Sequence, residues 1–169
     1  MGQSVLDLVR SHAAQTPDAP CLSFGMETLN YGEMHARCSR VAKALTQQGV
    51  STGDRVAILA RNSPAHYELL FACGMIGAIL LPVNWRLAPR EVTDILSDAQ
   101  PSLLIVEADL HSLLVEARTP IETMDLHAEY PVWRDAAALR DPALLIAPDA
   151  PTLMLYTSGT TGRPKGAVL

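Results

Sequence analysis

Cysteine is scarce and badly placed for cross-linking. The three thiols, Cys21, Cys38 and Cys73, are odd in number, widely spaced and never arranged as Cys-x-x-Cys. A disulfide framework and a cysteine zinc site are therefore unsupported, and a reducing, cytoplasmic setting is expected. The five histidines form no metal-ligand pair at helical spacing. Lysine is nearly missing: of thirteen cations only Lys43 and Lys165 are lysines, against eighteen acids, for a net charge of −5. Such a chain lacks the basic field that nucleic acid requires, so no nucleic-acid partner is expected. No apolar core of a signal peptide follows the amino terminus, where Asp7 and Arg10 stand. The uncharged apolar stretch Leu69–Val83 falls short of the roughly 18–20 residues of a membrane span and is broken by Gly74, Gly77 and Pro82. No transmembrane segment is expected; a buried helix followed by a strand is.

What is present is apolar surface: 49% of 169 residues are hydrophobic and only 18% are charged. A chain of this size buries about two-thirds or more of its surface, so one folded domain is expected. Leu22–Phe24 and Thr28–Leu29 read as short strands around the turn Gly25-Met26-Glu27. Asn30 with Glu33 three residues on resembles a capping box. Met34, Cys38, Val41 and Leu45 then recur at the spacing of a buried helical face, which Gly49 closes. After the turn Ser51–Asp54, a buried strand runs Arg55–Ala60. Ser63 and Pro64 open a helix to about Ile76, and Ile79–Val83 is the next strand. Val92, Ile95, Leu96 and Ala99 mark an amphipathic helix stopped by Pro101, with Leu103–Val106 a further strand. Between Asp109 and Pro148 the pattern is weaker. It predicts a short helix near Leu110–Ala117, a strand near Ile121–Met124 and an Ala-rich turn or helix around Asp135–Leu139. Strands alternating with amphipathic helices predict an α/β fold, a mostly parallel sheet flanked by helices. Pro148 and Pro151 bracket a short linker into a last strand, Thr152–Tyr156.

The chemistry is concentrated at the carboxyl end. Tyr156-Thr157-Ser158-Gly159-Thr160-Thr161-Gly162-Arg163-Pro164-Lys165-Gly166 sets hydroxyls and glycines after an apolar strand, then two cations. No acid follows Asp149, so this tail carries +2 in a chain of −5. Glycines let the backbone approach an anion and aim successive N–H groups at it. Hydroxyls donate to phosphate oxygens or offer a lone pair to Mg²⁺. A lysine about 4 Å from a phosphate charge gains on the order of 4 kcal/mol before desolvation. The pattern is not the common G-x-x-x-x-G-K-[ST] phosphate loop. Lys165 follows Pro164 and precedes Gly166, and Gly166–Leu169 reads as a strand where that motif needs a helix. A phosphate loop of strand–loop–strand design is expected; the plainer alternative is a hydroxyl-rich surface turn.

Other polar candidates have structural readings. Cys38 and Cys73 lie on apolar faces, where free cysteine packs. His66 and Glu68 do not share a helix face at i,i+2 and are expected on the helix surface. Trp85 and Arg86 read as structural, because no second converging group can be named. Asp7/Arg10 and Glu91/Asp94 read as solvated helix faces.

The Tyr156–Gly166 segment resembles the nucleotide-phosphate signature of the adenylate-forming (AMP-binding) superfamily, which includes acyl-CoA synthetases. Leu29–Met34, Gly53–Ile58 and Gly77–Asn84 resemble its earlier segments in order and spacing, with Asn30 where Thr or Ser is usual. The continuation Asn84-Trp85-Arg86-Leu87 is most similar to fatty-acyl and aryl-CoA ligases. The resemblance implies an ATP-dependent acid–CoA ligase, fatty acyl favoured, that forms an acyl-adenylate and then a thioester. It implies ATP, Mg²⁺ and coenzyme A, and a carboxylic acid substrate. By resemblance Thr157, Ser158, Thr160 and Thr161 contact phosphate or Mg²⁺, with Thr157 the metal candidate. Gly159 and Gly162 let the loop close, and Lys165 neutralises the polyphosphate. Residues 1–169 then form the N-terminal portion of an AMP-binding domain, truncated just after the phosphate loop. The adenine, ribose and acyl pockets and the family's catalytic lysine would lie beyond it, so the piece alone is expected to be inactive. A truncated sheet leaves an open edge, so self-association is expected. The competing reading is a non-catalytic remnant or a nucleotide- or partner-binding module.

Overall fold

The computed structural model describes residues 5–114, 121–142, 144, 146, 147, 149–157 and 164–169; for residues 5 and 6 only the backbone is described. Helix α1 (Val5–Gln15) precedes an antiparallel hairpin, β1 (Pro20–Phe24) with β2 (Glu27–Asn30). Next come α2 (Tyr31–Gln47), β3 (Arg55–Leu59), α3 (Pro64–Ile76), β4 (Ile79–Val83), α4 (Pro89–Ala99) and β5 (Leu103–Val106). A 3₁₀ helix (Ala108–Leu114), β6 (Thr123–Asp125), α5 (Tyr130–Ala136), β7 (Met154–Thr157) and β8 (Lys165–Val168) follow.

Local chemistry explains most boundaries. Asn30 Oδ1 accepts from the Glu33 N–H at 2.8 Å while Glu33 Oε2 accepts from the Asn30 N–H at 2.9 Å, a reciprocal cap that starts α2. Gly49, at φ +88°, follows the end of α2, and Gly77, at φ +73°, caps α3 in the left-handed conformation glycine tolerates best. Pro64 opens α3 as expected, although the Ser63 side chain makes no capping hydrogen bond. In the weakly patterned region the expected short helix is the 3₁₀ helix Ala108–Leu114, residues 115–117 of that expectation lying outside the described residues, and the expected strand is β6, Thr123–Asp125. The departure is α5, which begins at Tyr130 with Pro131 in its first turn and ends at Ala136, the first alanine of the Ala-rich stretch. Helix α1 has an apolar stripe too short to stand out, and only its tertiary packing through Val9 distinguishes it.

Strands β3, β4, β5 and β6 form one parallel sheet in the order β4-β3-β5-β6. Because side chains alternate across a strand, the two faces build two cores. Val56, Ile58, Leu80, Leu103 and Ile105 face α2 and α3. Ala57, Leu59, Leu81, Val83, Leu104 and Val106 face α4 and Leu110. The result is the flanked parallel α/β sheet that the pattern predicts. Among the described residues no helix is long and apolar enough to cross a membrane. The uncharged run Leu69–Val83 is the buried end of α3 and all of β4. Cys38 and Cys73 are fully buried in the core, and burial pushes the Cys73 thiol up to about 12.

Glu68 corrects the surface placement expected for it. It is 1% exposed, because it shares the inward stripe of α3 with Ala65, Leu69 and Ala72 at i, i+3, i+4 spacing. Its carboxylate accepts from Arg134 Nη1 at 3.0 and 3.2 Å, from Arg37 Nη1 at 3.2 Å and from the Tyr130 hydroxyl at 3.0 Å. One buried acid thus ties α2, α3 and α5 together. The Asp7/Arg10 pair is not simply solvated either: Arg10 makes a two-pronged contact to Asp141 at 2.7 and 2.8 Å.

Candidate functional site

The helix after β3, α3, packs on one face of the sheet, and the helix after β4, α4, packs on the other. The loops leaving these neighbouring strands therefore diverge, and a crevice opens at their carboxyl ends. Open α/β sheets bind ligands at such a switch point. A cavity of about 630 Å³ lies there, lined by Arg61 and Asn62 from the loop after β3, His66 from α3, and Asn84, Trp85 and Arg86 from the loop after β4. Tyr156 of β7 closes one side.

The guanidinium carbons of Arg61 and Arg86 each lie 5.0 Å from the centre of the Trp85 ring, within cation–π range. Arg61 is neutralised by Glu107 at 2.8 Å and Asp109 at 2.9 Å, which holds the Asp109 carboxyl below its usual range. Arg86 carries no salt bridge among the described residues, and its backbone N–H donates to Asn84 Oδ1 at 3.0 Å. Burial lowers the pKa of His66, partly offset by Ser63, so its ring is a neutral polar wall at pH 7. Trp85 and Arg86 thus have converging partners that linear reading missed. The available signal was position: Arg61–Asn62 and Asn84–Arg86 each lie within three residues of the carboxyl end of a parallel strand.

Beside the cavity, β7 and β8 pair antiparallel in the register Met154↔Val168, Leu155↔Ala167, Tyr156↔Gly166 and Thr157↔Lys165. Strand–loop–strand is the predicted design. Thr157 and Lys165 are brought opposite one another, both exposed, at the loop end of this hairpin. Ser158, Gly159, Thr160, Thr161 and Gly162 lie outside the described residues. The hairpin meets the main sheet at its β4 edge through one parallel bridge, Leu80↔Leu153, with the Leu80 N–H donating to Thr152 O at 2.9 Å. The described residues contain no group of three or more His, Cys, Asp or Glu able to hold a metal by themselves.

The family model for AMP-binding enzyme matches residues 9–169. The chain belongs to this family, as the resemblance of the Tyr156–Gly166 sequence implied. It is 38% identical over 170 residues to the fatty acid–[acyl-carrier-protein] ligase ScoC of Streptomyces coeruleorubidus, covering 99% of this chain and 33% of that protein. It is 40% identical over 157 residues to a feruloyl-CoA synthase of an Amycolatopsis species, covering 93% of this chain and 31% of the relative. The fold matches the crystal structure of the N-terminal domain of FACL13 from Mycobacterium tuberculosis with a TM-score of 0.88 and 27% identity, over 99% of this chain and 44% of that one. The chain spans about a third of the length of the curated relatives it matches.

Proposed function

We propose that these residues are the N-terminal portion of an adenylation domain in an AMP-forming acid–CoA ligase, and that the β7–β8 hairpin holds the polyphosphate of ATP. The observation that carries this reading is the pairing of Thr157 with Lys165, which sets a hydroxyl and an ammonium at the mouth of a Gly/Ser/Thr loop beside the switch-point cavity. In this reading Thr157, Ser158, Thr160 and Thr161 donate to phosphate oxygens, Gly159 and Gly162 give the backbone room, and Lys165 balances charge as pyrophosphate leaves. Mg²⁺ suits this set only as a phosphate-borne ion, since such an ion takes most of its oxygens from phosphate and water and needs one or two from protein; Thr157 supplies one. In this reading the acid carboxylate first takes the AMP of ATP to give an acyl-adenylate and pyrophosphate, and the thiol of coenzyme A then takes the acyl group and releases AMP. The relatives' names divide between a fatty acid and ferulic acid chemistry and between a carrier protein and CoA. We favour a fatty acid on the Asn84–Leu87 segment.

We infer that the 169-residue chain, which spans about a third of the length of its relatives, binds polyphosphate without turning over. Titration with magnesium tripolyphosphate, followed by amide NMR, tests this. Saturable shifts at Thr157 and Lys165, with affinity falling about tenfold in Lys165→Ala, support the assignment. An affinity indifferent to that change refutes it, and ATP–pyrophosphate exchange by the purified chain refutes the expected inactivity.

A further inference from the structure

Gly166 and Tyr156 face each other across the β7–β8 pair. A Cβ placed on Gly166 would lie 3.1 Å from Tyr156 Cζ, 3.3 Å from Cε2 and 3.4 Å from the hydroxyl oxygen. The phenol end of the tyrosine therefore lies against the glycine, and a larger residue there would push the ring away by a few tenths of an ångström. At its far end the Tyr156 hydroxyl donates to Asp98 Oδ2 in the last turn of α4. The ring also packs against the core on the α4 face of the sheet. The hairpin also meets the sheet through the bridge at Leu80 and Leu153, at the opposite end of β7 from the loop, and through Met154, which packs on the same face as Tyr156.

Tyr156 immediately precedes Thr157, and Gly166 immediately follows Lys165. We propose that Asp98 and Tyr156 are positioning residues for the polyphosphate loop: Asp98 anchors the Tyr156 ring, and the ring, seated on Gly166, fixes where Thr157 and Lys165 stand relative to the cavity. The inference rests on the polyphosphate reading of the hairpin and deepens it. Neither residue touches the phosphates. Their effect is to preorganise groups that do, so that less ordering is required when the anion binds.

The phenol also reports on the contact. Burial raises the Tyr156 pKa, and the hydrogen bond and charge of Asp98 raise it further, so the hydroxyl remains a donor throughout the physiological range.

The test uses the 169-residue chain and magnesium tripolyphosphate. Asp98 is exposed, so its replacement leaves the core untouched. Asp98→Ala and Tyr156→Phe are each expected to weaken binding about five- to tenfold. The double variant should be no weaker than either single one, since both break the same link. Asp98→Asn, whose side-chain oxygen still accepts the phenol proton, should restore affinity to within about twofold. In Asp98→Ala the Tyr156 phenol, read by ¹³C NMR of the ring, should titrate at lower pH than in the unaltered chain. Wild-type affinity in Asp98→Ala, additive losses in the double variant, or an Asn variant as weak as Ala would each overturn the positioning role. Lys165→Ala separates the two readings. If it weakens binding while Asp98→Ala does not, only the anchor fails. If it has no effect, or if the chain binds no tripolyphosphate, the polyphosphate assignment fails and the anchor with it.

Discussion

Glu68 shows how much one side chain can decide. Its carboxylate lies between Arg37 and Arg134, whose outer faces are in turn paired with Glu27 at 2.7 Å and Asp135 at 2.9 Å. Burial works against the Arg134 charge, but Asp135 and Glu68 outweigh it and hold that guanidinium firmly protonated. Glu68→Gln keeps the shape and removes the charge that both guanidiniums need. It is expected to destabilise the fold by about 3 kcal/mol, the lower end for breaking a buried ion pair because both arginines keep a second partner. Urea denaturation with an unchanged slope would measure this; a loss under about 1 kcal/mol would mean that water enters the cluster. The role of Glu68 was only half legible in the sequence. Its spacing from Ala65, Leu69 and Ala72 marks the inward stripe, but its partners stand 31 and 66 residues away in the chain. Nothing local announces them.

At the scale of elements, caps and turns were the most readable features, because they act over three or four residues. The Asn30–Glu33 box and the proline at the start of α3 are written in adjacent letters, and the element boundaries around them fall where expected. Glycines at helix ends look alike in sequence, yet the structure separates them. Gly49 and Gly77 both have positive φ. A Cβ at Gly49 would meet nothing within 4 Å, whereas one at Gly77 would lie 2.9 Å from Thr52 Cγ2 and 3.3 Å from Ile146 Cδ1. Gly49→Ala is therefore expected to cost about 1 kcal/mol of backbone strain alone. Gly77→Ala should cost about 2 kcal/mol or more, since strain and a clash add. Thermal unfolding of the two variants side by side checks the order, and equal midpoints would show that the Thr52 turn yields. The poorly patterned stretch behaves oppositely. Helix α5 has few residues and draws its order from Tyr130 and Arg134 meeting Glu68, so its start at Tyr130 could not be placed from periodicity.

For the whole molecule, the two faces of the parallel sheet are covered by helices, but its β4 edge is met by a single bridge to the β7–β8 hairpin. Leu155, Val168 and Leu169 of that hairpin are 37, 48 and 65% exposed. Relatives three times as long have more chain to place against such surface. The 169-residue chain is accordingly expected to self-associate as its concentration rises. Sedimentation velocity should show a concentration-dependent increase in mass that Val168→Lys reduces. A monomer at all concentrations up to about 100 μM would show that the edge is protected by its own twist and turns.

The sequence by itself determined the α/β class, the order of the elements from β1 to β5, the α2 cap and the family, because each depends on local spacing, on apolar period or on a run of adjacent residues. Tertiary structure alone decided that Glu68 is interior, that Arg61, His66 and Trp85 line one cavity, and that Tyr156 reaches Asp98 while covering Gly166. Those outcomes depend on which strand lies beside which and on which face each helix takes. These are properties of the packed sheet that no window along the chain contains.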